Sequence, residues 1–446
     1  MITLFSQLVL LVAVAGCAAG AAWALTRTPL AGGALILAVY VAEAFAVVLP
    51  GFRVGLYVYP QDVVFVLLLV SAGIRLSRGV NALQLLLLAY AALVLGSFMR
   101  GVQQFGVQPA GVDVRTFVYF AAGALYFSTF EIGPAVQRAL VRMVLAAAAV
   151  LLALAVFRWI ATALDLAIVE QWASITTNRM RVLHSGHALF LSQCGLLAFA
   201  LQLARTGKGR YLAGPLFAAV LLLQHRTVWA QVLVVAAFGI LFSGRLRGRL
   251  MWRATAISLI AGAFAVSLFG SQLETLAESL RASATGDETW TWRVQGWQVL
   301  LGRFFASDAV TQILGAPFGS GYVRYLGMHR ITVSPHNFYV QNLLRVGFAG
   351  LALFAGVYLL LILRISRAGG NVAAQWLRPG LVQLLMVSQL LYFITYSPGF
   401  EQCLFLGLAF GYLRALERPR ARPAPAATRA SRTPWVRAPR LVSRPY

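Results

Sequence analysis

The segment HNFYVQNLLRVGFAG, residues 336–350, places a polar His336-Asn337 pair directly before a long apolar run. Gly347 and Gly350 follow inside that run, about one helical turn apart. An apolar run that begins beside a polar pair is typical of a membrane helix entered from water. The imidazole of His336 can accept a proton near pH 7. We therefore expect a membrane helix bundle whose chemistry lies at one end of its helices.

The composition extends this interpretation to the whole chain. Of the 446 residues, 60% are hydrophobic and only 11% are charged, and the mean hydropathy is +0.77. Soluble domains carry about a quarter charged residues. The sequence therefore predicts an all-α, polytopic membrane bundle of about 12–14 transmembrane helices. The predicted spans lie at residues 4–24, 30–50, 56–74, 82–99, 115–130, 140–162, 186–204, 211–225, 227–243, 254–270, 338–363, 380–396 and 401–414.

The distribution of charge predicts how the bundle is oriented. The net charge is +24, and nearly all of the cations are arginines. Strict alternation of the spans places the basic segments on one side, which the positive-inside rule assigns to the cytoplasm. Topology and anionic membrane lipids account for the charge, and we expect no nucleic acid partner. The basic segments are 75–78, 205–210, 245–253, 364–367 and 418–446.

The chain divides into a transmembrane domain, residues 1–417, and a Pro- and Arg-rich tail, residues 418–446. The tail has few apolar residues to bury, so we expect it to be disordered in the cytoplasm. One large loop, residues 271–337, interrupts the domain on the periplasmic side. The loops of that side carry the histidines, which predicts that polar chemistry is concentrated there.

The large loop contains an aromatic helix. Trp290, Arg293, Trp297 and Leu301 share one helical stripe, a pattern typical of a helix at the membrane interface. The Gly-rich segment GAPFGSGY, residues 315–322, is expected to end that helix and return the chain toward the polar pair.

His336 has two interpretations. It can be a structural histidine at a helix start, with Asn337 or Ser334 capping the helix after Pro335. It can also be a general base that removes a proton from a sugar hydroxyl. Its position at the water-side end of a span favours the catalytic role.

Arg226 and Arg293 also have two interpretations. Arg226 lies in the tight turn QHRTVW on the non-cytoplasmic side, where arginine is disfavoured. Either arginine can anchor the chain at the interface, and Arg293 can stack on Trp290 or Trp297. A guanidinium also offers a rigid fork of donors to phosphate oxygens, so both residues are candidates for binding a diphosphate.

A second group of residues could contact substrate from the same side. Arg115 could be structural and not a substrate contact, because Asp113, two residues before it, could pair with it. The other members could form a basic rim that attracts acidic glycan. This group comprises Arg115, Arg179, Arg181, His184 and His187, with Asn337 and Trp297 as further candidates.

The cysteines indicate neither a disulfide framework nor a metal site. Cys17, Cys194 and Cys403 are scattered, each inside a predicted span. Zinc sites and disulfide frameworks need paired or closely spaced cysteines. We therefore expect no metal and no cofactor.

Four residues of the opening segment match the H-[NSQ]-x9-G-x2-G signature of the O-antigen ligase and polymerase superfamily. These proteins are integral membrane glycosyltransferases of the bacterial envelope, and the chain resembles them over roughly residues 180–410. The four residues are His336, Asn337, Gly347 and Gly350. The other matches are Arg293 and Trp297 for an R-x3-W element, Gly319 and Gly321 for a G-x-G element, and Arg226 for an arginine at a periplasmic helix junction.

The resemblance implies transfer of a glycan from undecaprenyl diphosphate to an acceptor hydroxyl, in one block and with inversion, without a metal or nucleotide sugar. It implies that Arg226 and Arg293 hold the diphosphate and that His336 activates the acceptor. The acceptor would be another lipid-linked glycan in a polymerase, or lipid A-core in a ligase. We favour a polymerase of O-antigen or exopolysaccharide, for which a chain-length regulator would be a further partner.

A transporter or flippase for lipid-linked sugars is the alternative of another class. It would need charged residues spread through several spans along a crossing path. Glu43 is expected to be almost alone among charged residues in mid-span, while the polar groups gather at one face. That distribution favours an enzyme.

Overall fold

The computed structural model describes residues 19–45, 51–166, 181–203, 211–242, 288–368 and 375–417. The span expected at 254–270, most of that at 4–24, Arg179 and the tail 418–446 lie outside these residues.

The described part of the chain is mostly helical, with two short hairpins. In chain order its helices are α1 (Ala19–Arg27), α2 (Pro29–Ala44), α3 (Pro60–Leu76), α4 (Ala82–Phe105), α5 (Val107–Ser128), α6 (Pro134–Ala163), α7 (Ser185–Leu203), α8 (Ala213–Leu222), α9 (Arg226–Phe242), α10 (Glu288–Phe305), α11 (Ala309–Leu314), α12 (Phe338–Arg367), α13 (Pro379–Tyr392) and α14 (Gln402–Glu417). The strands are β1 (Phe52–Val54), β2 (Leu56–Val58), β3 (Arg324–Leu326) and β4 (His329–Ile331), paired as the antiparallel hairpins β1–β2 and β3–β4.

Three of these helices, α4, α6 and α12, are long and apolar enough to cross a membrane. Helices α1 and α2 form a fourth if the pair is one span bent by 120°. The bend falls at Thr28, whose hydroxyl caps α2 by accepting from Leu30 N at 3.2 Å, with Pro29 at the first helical position. Shorter apolar helices follow at α8, α9 and α13. The larger number of spans stays a prediction.

Two predicted boundaries are wrong near the start of the bundle. The span expected from residue 56 begins with β2, and its helix starts at Pro60. The segment 100–114, expected to be a loop, is helical except at Gly106, where α4 ends and α5 begins. Gly106 has φ 85°, a left-handed conformation that ends one helix and lets the next start at an angle.

Helix α5 is the centre of the bundle and packs against α3, α4 and α14. Small residues allow this close approach. Gly123 lies against the Cys403 side chain, and Gly407 lies against Phe127, so a methyl group at either glycine would overlap its neighbour. Helix interfaces in membranes use small residues in this way because they let backbones come together.

Gly347 interrupts α12, which therefore consists of two helical pieces. Its φ of 66° and ψ of −168° are not helical, and a Cβ there would overlap the carbonyl oxygen of Ile313. The expectation that Gly347 and Gly350 lie one turn apart in an unbroken helix is wrong. Ser97 Oγ donates to the carbonyl oxygen of Arg345 at 2.7 Å beside the break. This bond satisfies an acceptor where the helical pattern is lost.

The Gly-rich segment 315–322 encloses the side chain of Arg345. Its Nη2 donates to the carbonyl oxygen of Gly321 at 2.9 Å, and its Nη1 donates to Ser320 Oγ. Its Nε lies 2.7 Å from Asp113 Oδ2, and only 2% of the arginine side chain is exposed.

The expectation that the Gly-rich segment 315–322 ends the aromatic helix is wrong. That helix, α10, ends at Phe305, and Gly315 ends α11 instead.

Asp113 does not pair with Arg115, the structural alternative suggested by the sequence. Arg115 Nε lies 3.1 Å from Asp62 Oδ1 on α3, whereas Asp113 pairs with Arg345. Residues two apart on a helix point in different directions, so neighbours in sequence are not neighbours in space. The two ion pairs attach α5 to α3 on one side and to α12 on the other.

Candidate functional site

His336 lies in a strained turn directly before α12. Its φ is 50°, in the left-handed region that few residues other than glycine adopt. Two bonds hold this turn: Trp297 Nε1 donates to the carbonyl oxygen of Pro335 at 2.6 Å, and Asn337 Oδ1 accepts from Val340 N at 3.0 Å. Trp297 and Asn337 thus position the imidazole, and Asn337 is the helix cap that the sequence allowed.

Aromatic rings and cations surround the imidazole of His336. The ring of Trp292 lies 6.4 Å away and that of Tyr396 lies 6.3 Å away, measured between centroids. The guanidinium of Arg293 lies over the Tyr396 ring at 5.1 Å, and that of Arg324 lies 6.0 Å from the Trp292 ring. Burial, followed by the charges of Arg293 and Arg324, lowers the pKa of His336 from its ordinary value. The imidazole is therefore neutral at pH 7, the state that a general base requires.

Tyr396 also acts electrostatically on Arg181. Burial lowers the pKa of Arg181, while the nearby Tyr396 raises it and the charges of Arg226 and Arg293 lower it further. The charges of Arg226 and Arg293 thus both act on Arg181, whereas the charges that act on His336 are those of Arg293 and Arg324.

The local fold places the turn that carries Arg226 against the segment that carries Arg181. Helix α8 ends at Leu222 and α9 begins at Arg226, so only three residues connect them. His225 in this turn is buried, and its Nε2 lies 2.9 Å from the carbonyl oxygen of Leu183. Arg181 Nη2 donates to the carbonyl oxygen of Gln224 at 3.3 Å. These bonds hold the segment before α7 against the tight turn that carries Arg226.

Arg293 has a donor available for a ligand. Its Nε is buried and has no hydrogen-bond partner among the described residues. An unpaired buried donor costs about 1–3 kcal/mol, and a charged one costs more. A phosphate oxygen would satisfy it. Arg293 also does not stack on Trp290 or Trp297, as the structural interpretation suggested, but on Tyr396.

The remaining predicted residues lie apart from this cluster or in its margin. Arg115 is held by Asp62 and lies over the ring of Tyr59 at 4.7 Å. The ring of His187 is buried 4.9 Å from that of Tyr40 and 5.9 Å from that of His184. His187 is therefore a packed residue of α7 and not part of an exposed rim.

Sequence reasoning missed Tyr396 and Arg324. Tyr396 follows the end of α13, where Tyr392 stacks on it at 5.0 Å and Phe393 accepts from the backbone N of Phe338 at 2.9 Å. Arg324 lies on β3 and is almost completely buried, with Nη1 donating to the carbonyl oxygen of Val333 at 2.8 Å. The available signals were an arginine in the predicted loop 271–337 and an aromatic residue at the end of the predicted span 380–396, on the same predicted side as His336.

The arrangement can hold an anion and accept a proton at one place. In the part of the chain that the structure describes, no group of three or more His, Cys, Asp or Glu residues could hold a metal ion. The polar groups that converge are guanidiniums, phenols and one neutral imidazole. Comparisons with protein-family models and with curated proteins find no match to the chain.

Proposed function

We propose that the chain is a membrane glycosyltransferase that takes a glycan from a lipid diphosphate and passes it to an acceptor hydroxyl. The observation that carries this proposal is the placement of Arg293 beside Tyr396 and His336, with the charges of Arg226 and Arg293 both acting on Arg181. A cluster of arginines suits a diphosphate, and a neutral imidazole next to it suits a hydroxyl that must lose a proton.

In the proposed reaction, the oxygen of the acceptor hydroxyl attacks the anomeric carbon of the donor glycan. The bond between that carbon and the diphosphate oxygen breaks, and its electron pair stays with the diphosphate. The hydroxyl proton passes to the imidazole of His336. Attack from the side opposite to the leaving group inverts the anomeric centre.

The arginines stabilise the charge that develops on the leaving diphosphate. Each guanidinium can bind two phosphate oxygens in parallel, which fixes orientation as well as charge. Preorganised cations lower the activation barrier effectively when they lie where negative charge develops in the transition state, in a site that excludes water. The buried Nε of Arg293 has no hydrogen-bond partner among the described residues, so it is a donor that a phosphate oxygen could satisfy.

For the biological reaction, we propose a polymerase of O-antigen or exopolysaccharide that uses undecaprenyl diphosphate at the periplasmic face of a bacterial inner membrane. Deleting the gene and examining the surface polysaccharide tests this. Single repeat units in place of long chains support a polymerase. Lipid A-core without polymer, together with accumulated lipid-linked polymer, supports a ligase. Unchanged polysaccharide contradicts the proposed function.

Arginine-to-lysine variants test the diphosphate role in the same cells. Arg226→Lys and Arg293→Lys keep the charge but lose the planar fork of donors, so both should lose most of their polymer. Arg303→Lys on α10 is the matched control, because Arg303 is exposed and its one side-chain hydrogen bond among the described residues is to the backbone carbonyl of Val323. Full activity of both site variants would contradict diphosphate binding by these residues.

The transporter alternative depends on charged residues within the helices. Glu43 is not almost alone, as expected from sequence, because Arg158 and Arg345 are buried in predicted spans. Both arginines are bound to this chain: Arg158 donates to the carbonyl oxygens of Val182 and Ala44, at 2.8 and 2.6 Å, and Arg345 pairs with Asp113. Charges fixed in this way hold the bundle together, which supports the enzyme.

A further inference from the structure

Arg75, Arg78 and Arg414 line a cavity of about 190 Å³. The cavity is formed where α3 ends, α4 begins and α14 passes, and Gln84 and Thr129 complete its polar wall. No residue that lines it is acidic. It is far larger than the roughly 10–15 Å³ that one water requires.

This cavity lies at the other end of the bundle from His336. Arg414 is one turn before Glu417, whose Oε1 lies 3.8 Å from Arg364 Nη1. Arg364 is in the last turn of α12, whereas His336 directly precedes the first turn of the same helix. The cavity is therefore separate from the site proposed for glycan transfer.

The arginines around the cavity are held by neutral oxygens. Arg75 Nε donates to Thr129 Oγ1 at 2.9 Å and its Nη1 to the carbonyl oxygen of Thr26 at 2.8 Å. Arg414 Nη1 donates to the carbonyl oxygen of Ser128 at 2.9 Å. These bonds orient the guanidiniums without neutralising them, and the charges of Arg414 and Arg78 repel that of Arg75. An anion in the cavity would offset this repulsion.

We propose that the cavity binds a phosphate group, either the diester of an anionic glycerophospholipid or free inorganic phosphate. Guanidiniums bind phosphate oxygens with charge-assisted, often paired hydrogen bonds. Basic pockets between membrane helices at the cytoplasmic side are suited to lipid headgroups. The segments 75–78 and 364–367, which the sequence assigns to the cytoplasm, both lie at this end. The site would attach the bundle to anionic lipid at the face opposite to His336.

The test uses the purified full chain in nanodiscs of phosphatidylcholine, with and without phosphatidylglycerol, and measures the thermal unfolding midpoint. Phosphatidylglycerol should raise the midpoint of the wild type, and Arg78→Gln should lose most of that rise. Arg78 is exposed and bonds no described residue through its side chain, so the variant should fold. Arg367→Gln is the control, because it removes one exposed arginine from the same end and should keep the rise.

A second arm separates the two sources of phosphate. Inorganic phosphate is added to the wild type and to Arg78→Gln in pure phosphatidylcholine. A rise in midpoint for the wild type alone assigns the cavity to free phosphate, and a rise with phosphatidylglycerol only assigns it to a lipid headgroup. The proposal is overturned if neither addition raises the midpoint, or if Arg78→Gln and Arg367→Gln respond equally.

Discussion

The guanidinium of Arg293 lies over the ring of Tyr396, with Cζ 5.1 Å from the ring centroid. The same ring lies 6.3 Å from that of His336 and stacks on Tyr392 at an interplanar angle of 21°. One tyrosine thus joins the aromatic helix α10, the turn before α12 and the end of α13. It holds a cation and a neutral imidazole side by side.

Removing the cation at position 293 should raise the pKa of His336. In the wild type, burial and the positive charges of Arg293 and Arg324 disfavour the imidazolium form of His336. Of the two arginines, Arg293 has the larger effect. In Arg293→Gln burial and Arg324 remain, so the pKa should move up toward its ordinary value without reaching it. The imidazole titration can be followed by NMR on histidine-labelled protein in detergent, with His336 assigned from its variant.

Arg303→Gln supplies the control for that titration. It removes the same charge from the same helix, but Arg303 bonds the carbonyl oxygen of Val323 and is exposed. The pKa of His336 should stay where it is in the wild type. Equal shifts in the two variants would mean that a general loss of charge is responsible and not the neighbourhood of Arg293.

Trp297→Phe should slow transfer more than it weakens substrate binding. The change removes the hydrogen bond from Nε1 to the carbonyl oxygen of Pro335, which holds the strained turn of His336. The loss of one such bond costs about 1 kcal/mol of stability. It also leaves the imidazole of His336 less well positioned for proton transfer, which lowers kcat. Steady-state kinetics should show a lower kcat with little change in KM. Trp290→Phe, at an exposed ring, should leave kcat unchanged, and an unchanged kcat in Trp297→Phe would remove its positioning role.

Arg345→Met should be strongly destabilising. It leaves the partly buried Asp113 without its cation, and breaking a buried pair costs up to about 3–5 kcal/mol. Arg364→Met breaks the exposed pair with Glu417, at 3.8 Å, and should cost less than about 1 kcal/mol. Unfolding by sodium dodecyl sulfate in mixed micelles measures both. Similar losses for the two variants would contradict a structural role for the Arg345–Asp113 pair.

Gly347→Ala should also destabilise the bundle. The residue has φ 66°, and an added Cβ would overlap the carbonyl oxygen of Ile313, so we expect a loss of at least about 1–3 kcal/mol. Gly356→Ala lies in the regular part of the same helix with no atom near the added Cβ. It should be neutral or stabilising by up to about 1 kcal/mol. A Gly347→Ala variant as stable as Gly356→Ala would show that the break in α12 is absent.

Much of the helical fold could be predicted because long apolar runs have few alternatives in a membrane. Helices α4, α6 and α12 lie where hydropathy places them. Their interruptions could not be predicted in the same way. Gly347 looks like any other glycine in an apolar run, and the close approach of its backbone to Ile313 on another helix is not visible in the sequence. Tertiary contact, not local pattern, decides that break.

The candidate site was predictable where a residue type was unexpected for its position. The sequence singles out His336, Arg226 and Arg293 as candidates because each places a polar group on the predicted non-cytoplasmic face. Tyr396 was missed because an aromatic residue after an apolar run suggests only interfacial packing. Its role depends on two partners that come from other helices.

Arg345 shows why the ion-pair partner of Asp113 was not predicted. It lies inside the predicted span 338–363, and an arginine within a span is by itself a reason to expect a partner. Asp113 is that partner, but it lies on another helix. Adjacency to Arg115 in sequence suggested the wrong pair, because local spacing carries no information on which helices pack together.

The most direct test of the central claim is transfer by purified His336→Asn protein, supplied with a glycan on undecaprenyl diphosphate. Asparagine tolerates the positive φ of this position but cannot act as a base near pH 7. His329→Asn, at an exposed position of β4, is the matched control. We predict that the initial rate falls by at least about 100-fold in His336→Asn and stays at the wild-type level in His329→Asn. A wild-type rate in correctly folded His336→Asn would contradict the proposed role of the imidazole.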